Sequence, residues 1–177
     1  MYSRIPNRWP LRAPVSSSAF HPWLIARTSL TLRLRRRCAK FSVREVKQRM
    51  AKPHLDELRA MRLPMQGAML IREVMLYCGD TPVVYARSIL PRASLIGPWA
   101  RLGKLGNKPL GHVLFSDPRV QRTPFRYRKF RRGDAMQSAA LPRCRDALWG
   151  RYSVFRLHGQ PIMVSEVFLP AILDLPA

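Results

Sequence analysis

In several stretches of the chain, apolar and polar positions follow the two-residue period of a strand, and shorter ones carry the three-to-four-residue period of a helix. Met69 to Tyr77, reading MLIREVMLY, predicts a strand. The turn Gly79-Asp80 leads into a second strand, PVVYARSILP, that ends at Pro91, so the two form an antiparallel hairpin. Phe41 to Met50 and Thr123 to Phe130 predict further strands, and Arg151 to Leu157 with Pro161 to Leu169 predict a second hairpin around His158-Gly159-Gln160.

Helical signals are fewer. Thr28 or Ser29 can cap a helix through Leu30, Leu34 and Cys38, although the Leu-Thr-Leu-Arg-Leu-Arg alternation there also permits a strand. His54 to Arg62 places Leu55, Leu58 and Met61 on one stripe, and Ser94 to Leu105 predicts a helix that stops near Gly103 and Gly106. Asn107-Lys108-Pro109-Leu110-Gly111 opens another short helix through Val113 to Phe115, with Pro109 suited to its first turn. The sum is an α+β fold, a single antiparallel sheet covered by helices, rather than a βαβ series. We divide the chain into an extended arm over residues 1–22, rich in Pro, Ser and Arg with Trp9 and Phe20 as anchors, and one domain over residues 23–177.

Charge changes the picture more than size does. Thirty-two Lys and Arg against ten Asp and Glu give a formal charge of +22, which calls for an anionic partner or surface. Most of the cations are Arg, suited to bidentate grip on carboxylate or phosphate. Arg119 to Arg132 interleaves Arg122, Arg126, Arg128, Lys129 and Arg131 with Phe125, Tyr127 and Phe130, the look of a strand on which nucleic-acid bases stack. A sheet edge kept from aggregating by its cations accounts for the same residues and is the favoured reading. The Arg-rich stretch before Glu45, with Ser16-Ser17-Ser18, mimics a mitochondrial presequence, but Pro6, Pro10, Pro14 and Pro22 would break the helix such a leader uses.

Other classes drop out. Cys38, Cys78 and Cys144 are odd in number, far apart and without a CxxC pair, so neither a disulfide framework nor a zinc site is expected, and a reducing compartment fits. His21, His54, His112 and His158 lack metal-ligand spacing. No apolar run reaches the roughly 20 residues of a membrane span. No Gly-rich phosphate loop, GxSxG elbow or dinucleotide fingerprint occurs.

Two residues break the alternation. Arg72 shares a strand face with Leu70, Val74 and Leu76, and Glu166 shares one with Ile162, Val164 and Phe168. A lone buried charge costs several kcal/mol, so each needs a partner. Either the two pair with each other, or they stand at opposite ends of a pocket, Arg72 on a ligand carboxylate and Glu166 on a hydroxyl. The helix start at Pro109-Leu110-Gly111 adds backbone N–H groups without intrahelical partners, a seat for an anion.

Six segments, in this order, resemble the chorismate lyase family: SLT at Ser29 to Thr31, LIREVML at Leu70 to Leu76, ARSILP at Ala86 to Pro91, LGNKPLGHVLF at Leu105 to Phe115, LWGRYS at Leu148 to Ser153 and SEVFLP at Ser165 to Pro170. The likeness runs from about Trp23 to the C-terminus. It implies a sheet with helical flaps around an internal ligand site, elimination of pyruvate from chorismate to leave 4-hydroxybenzoate, and no cofactor. It also implies that Arg72 and the Leu110 N–H hold a carboxylate, that Glu166 meets the ring hydroxyl, and that Leu30 closes over the ligand where the family pattern has Met. Arg87, on the partner strand, is assigned to the enolpyruvyl carboxylate. A monomeric, cytoplasmic enzyme is expected, with nucleic acid an improbable partner. The rivals are a non-catalytic effector-binding domain of the same fold and a basic nucleic-acid-binding protein; the short, Pro-rich arm leaves no room for the DNA-binding domain the former carries.

Overall fold

The computed structural model describes residues 10, 12–13, 18–64 and 67–176. Seven strands make one sheet: β1 (Phe41–Ala51), β2 (Met69–Cys78), β3 (Thr81–Leu90), β4 (Gln121–Arg122), β5 (Arg126–Phe130), β6 (Leu148–Leu157) and β7 (Gln160–Phe168). Their order is β1-β2-β3-β7-β6-β4, with β5 also paired to β6, and every pairing is antiparallel. The β6–β7 hairpin turns on two residues, His158 at φ 48° and Gly159 at φ 76°. Positive φ at both central positions matches the right-handed twist of the flanking strands. The arm expected over residues 1–22 falls largely outside the described residues, Trp9 included; Pro10 accepts a hydrogen bond from the Tyr127 N–H at 2.9 Å. Helix α1 (His21–Ile25) crosses the boundary drawn after Pro22.

The two sheet faces are covered differently. On one lie α3 (Leu55–Met61) and α6 (Ala135–Ala140), packed with Tyr85, Ile89, Phe130 and Met163. On the other, α1 and α2 (Leu30–Arg35) build one apolar cluster with Val74, Leu76 and Phe168. A second cluster on that face gathers Leu70, Leu90 and Phe155 under Trp99, Leu102, Leu110 and Leu114, from α4 (Arg92–Ile96), a 3-10 helix (Ala100–Lys104), α5 (Gly111–Ser116) and their connections. Between the two clusters runs a polar strip.

Several expectations change. The helix expected from Ser94 to Leu105 is interrupted at Gly97-Pro98, where proline has no N–H to give. The strand expected from Thr123 to Phe130 begins only at Arg126, as β5, after Pro124, which has no N–H for a ladder, and the two-residue β4 lies ahead of the expected range. Ser29 does cap α2, accepting from the Leu32 N–H at 3.4 Å, and the strand alternative there is not adopted. Cys38 and Cys78, expected to be unpaired, form a disulfide with a Cα–Cα distance of 5.2 Å; spacing of 40 residues hid a contact that the sheet creates. That removes the support the cysteines gave to a reducing compartment. Phe125, Tyr127 and Phe130 are buried, so the basic strand offers no aromatic face for base stacking.

Candidate active site

Register builds the floor of the site. Arg72, Ser88, Val164 and Ser153 lie directly opposite one another across β2, β3, β7 and β6, and Val74, Ala86, Glu166 and Arg151 form the next row on the same face. A cavity opens above these rows, between the two apolar clusters. Its cover comes from two flaps: Ser29 and Leu30 at the start of α2, and Leu110, Gly111 and Leu114 at the start of α5. The flaps meet closely, since a Cβ on Gly111 would sit 3.1 Å from Ser29 Oγ and 3.3 Å from Thr31 Oγ1.

Arg72 is 1 % exposed, and its Nη2 donates to the carbonyls of Gly106 at 2.6 Å and Lys108 at 2.9 Å. One side chain thereby ties the sheet to the loop that leads into α5, and so fixes where the Leu110 peptide stands. Leu110 is the N-cap of α5, and no acceptor for its N–H occurs among the described residues.

Glu166 does not pair with Arg72. Its Oε2 accepts from Arg151 Nε at 2.6 Å. Arg151, also 1 % exposed, sends Nη1 to the carbonyls of Trp23, Leu24 and Ala26 at 2.7–3.0 Å. These are carbonyls that the end of α1 leaves without intrahelical donors. Arg151 thus holds Glu166 at one end of the cavity and anchors α1 beside it.

A third guanidinium reaches the cavity from β4. Arg122 stacks on Phe125, 3.8 Å from the ring centroid, and donates from Nε to Ser153 Oγ at 3.1 Å and from Nη1 to the Arg27 carbonyl at 2.9 Å. Burial pulls its pKa down to about 10, opposed by attraction to Glu166 and reinforced by repulsion from Arg151. It stays protonated at neutral pH.

Four of the five expected site residues, Leu30, Arg72, Leu110 and Glu166, line this one cavity. Arg87 does not. It lies on the opposite face, where Nε and Nη1 bind Glu57 at 2.8 Å and Glu73 at 2.7 Å. A register shift between Leu76 and Tyr77 explains the correction. Tyr77 faces Pro82 but Leu76 faces Val84, and that one-residue slip puts Ser88 rather than Arg87 opposite Arg72.

Arg122 and Arg151 were not anticipated as site residues. Arg151 had a signal: a two-residue turn at His158-Gly159 fixes the register of the hairpin, which sets Arg151 opposite Glu166. Arg122 had none, because a two-residue strand has no periodicity. Among the described residues no group of three or more His, Cys, Asp or Glu is placed to hold a metal ion.

The family model described as chorismate lyase matches residues 9–175. A protein named probable chorismate pyruvate-lyase from Nitrosospira multiformis is 49 % identical over 157 residues, 86 % of this chain and 87 % of that one. A protein of the same name from Nitrosomonas europaea is 43 % identical, covering 94 % and 93 %. Among solved structures, a GntR-family transcriptional regulator from Bacillus cereus aligns with a TM-score of 0.57 at 12 % identity over 75 % of this chain and 93 % of its own. The PhnF C-terminal domain aligns with a TM-score of 0.58 at 11 % identity over 81 % and 90 %. Those likenesses show a shared fold alone, whereas the sequence matches span nearly the whole chain, and it belongs to the chorismate lyase family.

Proposed function

We propose that this chain eliminates pyruvate from chorismate to leave 4-hydroxybenzoate, the entry to ubiquinone synthesis, as a cytoplasmic monomer that needs no cofactor. The observation that carries this reading is the charge of the enclosed cavity. Three guanidinium groups, of Arg72, Arg122 and Arg151, and one carboxylate, Glu166, line it, and a lining so rich in cations suits an anionic ligand. Chorismate is a compact dianion, with one carboxylate on the ring and one on the enolpyruvyl ether.

In this reading Arg72 and the Leu110 N–H hold the ring carboxylate, and Glu166, steadied by Arg151, accepts the ring hydroxyl. Across the sheet, Arg72 and Glu166 stand two strands apart, about 10 Å, and two residues apart along the strands, about 7 Å. With side chains reaching inward from both ends, that leaves room for a six-membered ring. The ether C–O bond to the ring breaks with its electrons going to the enolpyruvyl oxygen. The hydrogen on the hydroxyl-bearing carbon leaves as a proton, its electron pair completes the aromatic ring, and the enolate takes up a proton to become pyruvate. Aromatisation supplies the driving force, and the chain supplies position and exclusion of water.

The test is to incubate the protein with chorismate and follow 4-hydroxybenzoate and pyruvate together. Equimolar release is expected, and Arg72→Ala should lower kcat/KM roughly 100- to 1000-fold, the scale of losing a preorganised charge-stabilising donor. Binding of 4-hydroxybenzoate with no pyruvate release would replace the lyase by an effector-binding role.

A further inference from the structure

We propose that Arg122 is the receptor for the second carboxylate of the substrate, the one on the enolpyruvyl group, and so the residue that distinguishes the dianionic substrate from the monoanionic product. The proposal rests on the lyase reading above and extends it to a residue outside the six segments quoted for the resemblance.

Three observations converge on Arg122. The first is uncompensated charge. Arg151 is ion-paired to Glu166 inside the cavity, but no carboxylate lies within ion-pair distance of Arg122 among the described residues. A half-buried guanidinium without a counter-charge is costly to keep unless something it meets repays that cost. Burial lowers the pKa of Arg122, and the attraction of Glu166 only partly opposes it.

The second is preorganisation. Ser153 Oγ takes Nε, the Arg27 carbonyl takes Nη1, and Phe125 lies flat beneath the guanidinium. These contacts fix the orientation of the group and leave Nη2 without a hydrogen bond among the described residues. An arginine meant only to solvate a sheet edge needs no such clamp.

The third is position. Arg122 is held on Ser153, and Ser153 is at the far end of the row that begins at Arg72. Three strand spacings, about 14 Å between Cα atoms, separate the two ends of that row. Arg72 and Arg122 therefore approach the cavity from opposite sides. A ring carboxylate on Arg72 directs the rest of the substrate toward the Glu166 and Arg122 side, where the ether substituent must be placed beside the hydroxyl. There Arg122 meets the group that leaves. As the ether C–O bond breaks, negative charge grows on the enolpyruvyl oxygen next to that carboxylate, so Arg122 contributes to the barrier as well as to binding.

The experiment compares wild type, Arg122→Met and Arg122→Lys in two measurements: kcat/KM for chorismate, and calorimetric Kd for 4-hydroxybenzoate, which lacks the enolpyruvyl group. We expect Arg122→Met to lower kcat/KM by roughly 100-fold, the scale of a charged interaction in a water-excluded site, while the Kd for 4-hydroxybenzoate stays within about twofold. Arg122→Lys, which keeps the charge but loses the fork, should regain about a tenth or more of wild-type kcat/KM. If Arg122→Met leaves kcat/KM within about threefold of wild type, the proposal is overturned. It is equally overturned if both measurements fall together, because Arg122 then only supports the cavity wall. Wild type that turns over no chorismate at all would sink the lyase reading and this extension with it, an outcome visible before any variant is made.

Discussion

The two faces of the sheet each bury an arginine on a central strand, and they treat it in opposite ways. On the face covered by α3, Arg87 lies between Glu57 and Glu73, with Tyr85 donating to the same Glu73 oxygen at 2.8 Å. Burial works against the Arg87 charge, but the hydrogen bonds and attraction of Glu57 and then Glu73 outweigh it and raise its pKa. The arginine's charge there is answered from within the chain. On the other face, three arginines line a cavity with a single carboxylate, Glu166, which is paired to Arg151. A buried arginine in a strand is therefore no sign of function by itself. What separates the two faces is whether the counter-charge is already present.

That contrast can be broken by experiment. The largest effect should follow Arg87→Met, which leaves Glu57 and Glu73 buried without their cation. A loss of about 3 to 5 kcal/mol in urea unfolding is expected, with 4-hydroxybenzoate affinity of the folded protein nearly unchanged. A collapse of affinity at constant stability would instead return Arg87 to the ligand site. Next comes Glu166→Gln. The amide still accepts from Arg151 but no longer carries charge, and kcat/KM should fall by roughly 10- to 100-fold, the range of a hydrogen bond to a charged group. Unchanged kinetics would mean that Glu166 serves only to orient Arg151.

Tyr85→Phe should have the smallest effect, about 1 kcal/mol of stability at neutral pH and no change in turnover. Its pH dependence has a definite sign. Burial, with help from the Glu73 hydrogen bond, raises the Tyr85 phenol above its ordinary value of 10.0. The stabilisation from its proton is thus complete below that pH and is lost as pH rises beyond it toward the folded-state value. In alkaline melts the gap between wild type and Tyr85→Phe should narrow.

Much of this site was legible before any fold was known. Two-residue alternation put Arg72 and Glu166 on apolar faces, helix-start chemistry marked Ser29 and Leu110, and the family resemblance alone supplied Leu30. What escaped was cross-strand register. A regular two-residue hairpin at Gly79-Asp80 would have set Arg87 opposite Arg72, but the slip beside Pro82 reversed that face, and nothing in the local pattern announces a one-residue bulge. The second hairpin has no such slip, but its turn is two residues, His158-Gly159, rather than the expected three, and that shorter turn sets Arg151 opposite Glu166. Helix α6, AMQSAA, carries too short an apolar stripe to be read from sequence, and the Cys38–Cys78 contact depends on how α2 docks beside the sheet.

Gly111 has a consequence for traffic through the molecule. It lets the two flaps close to van der Waals contact over the cavity, with Ser29 and Thr31 on one side and the first turn of α5 on the other. If that joint is the doorway, each catalytic cycle opens it twice, once for entry and once for exit. The tightness that keeps water away during bond cleavage then also sets how fast the enzyme can empty itself.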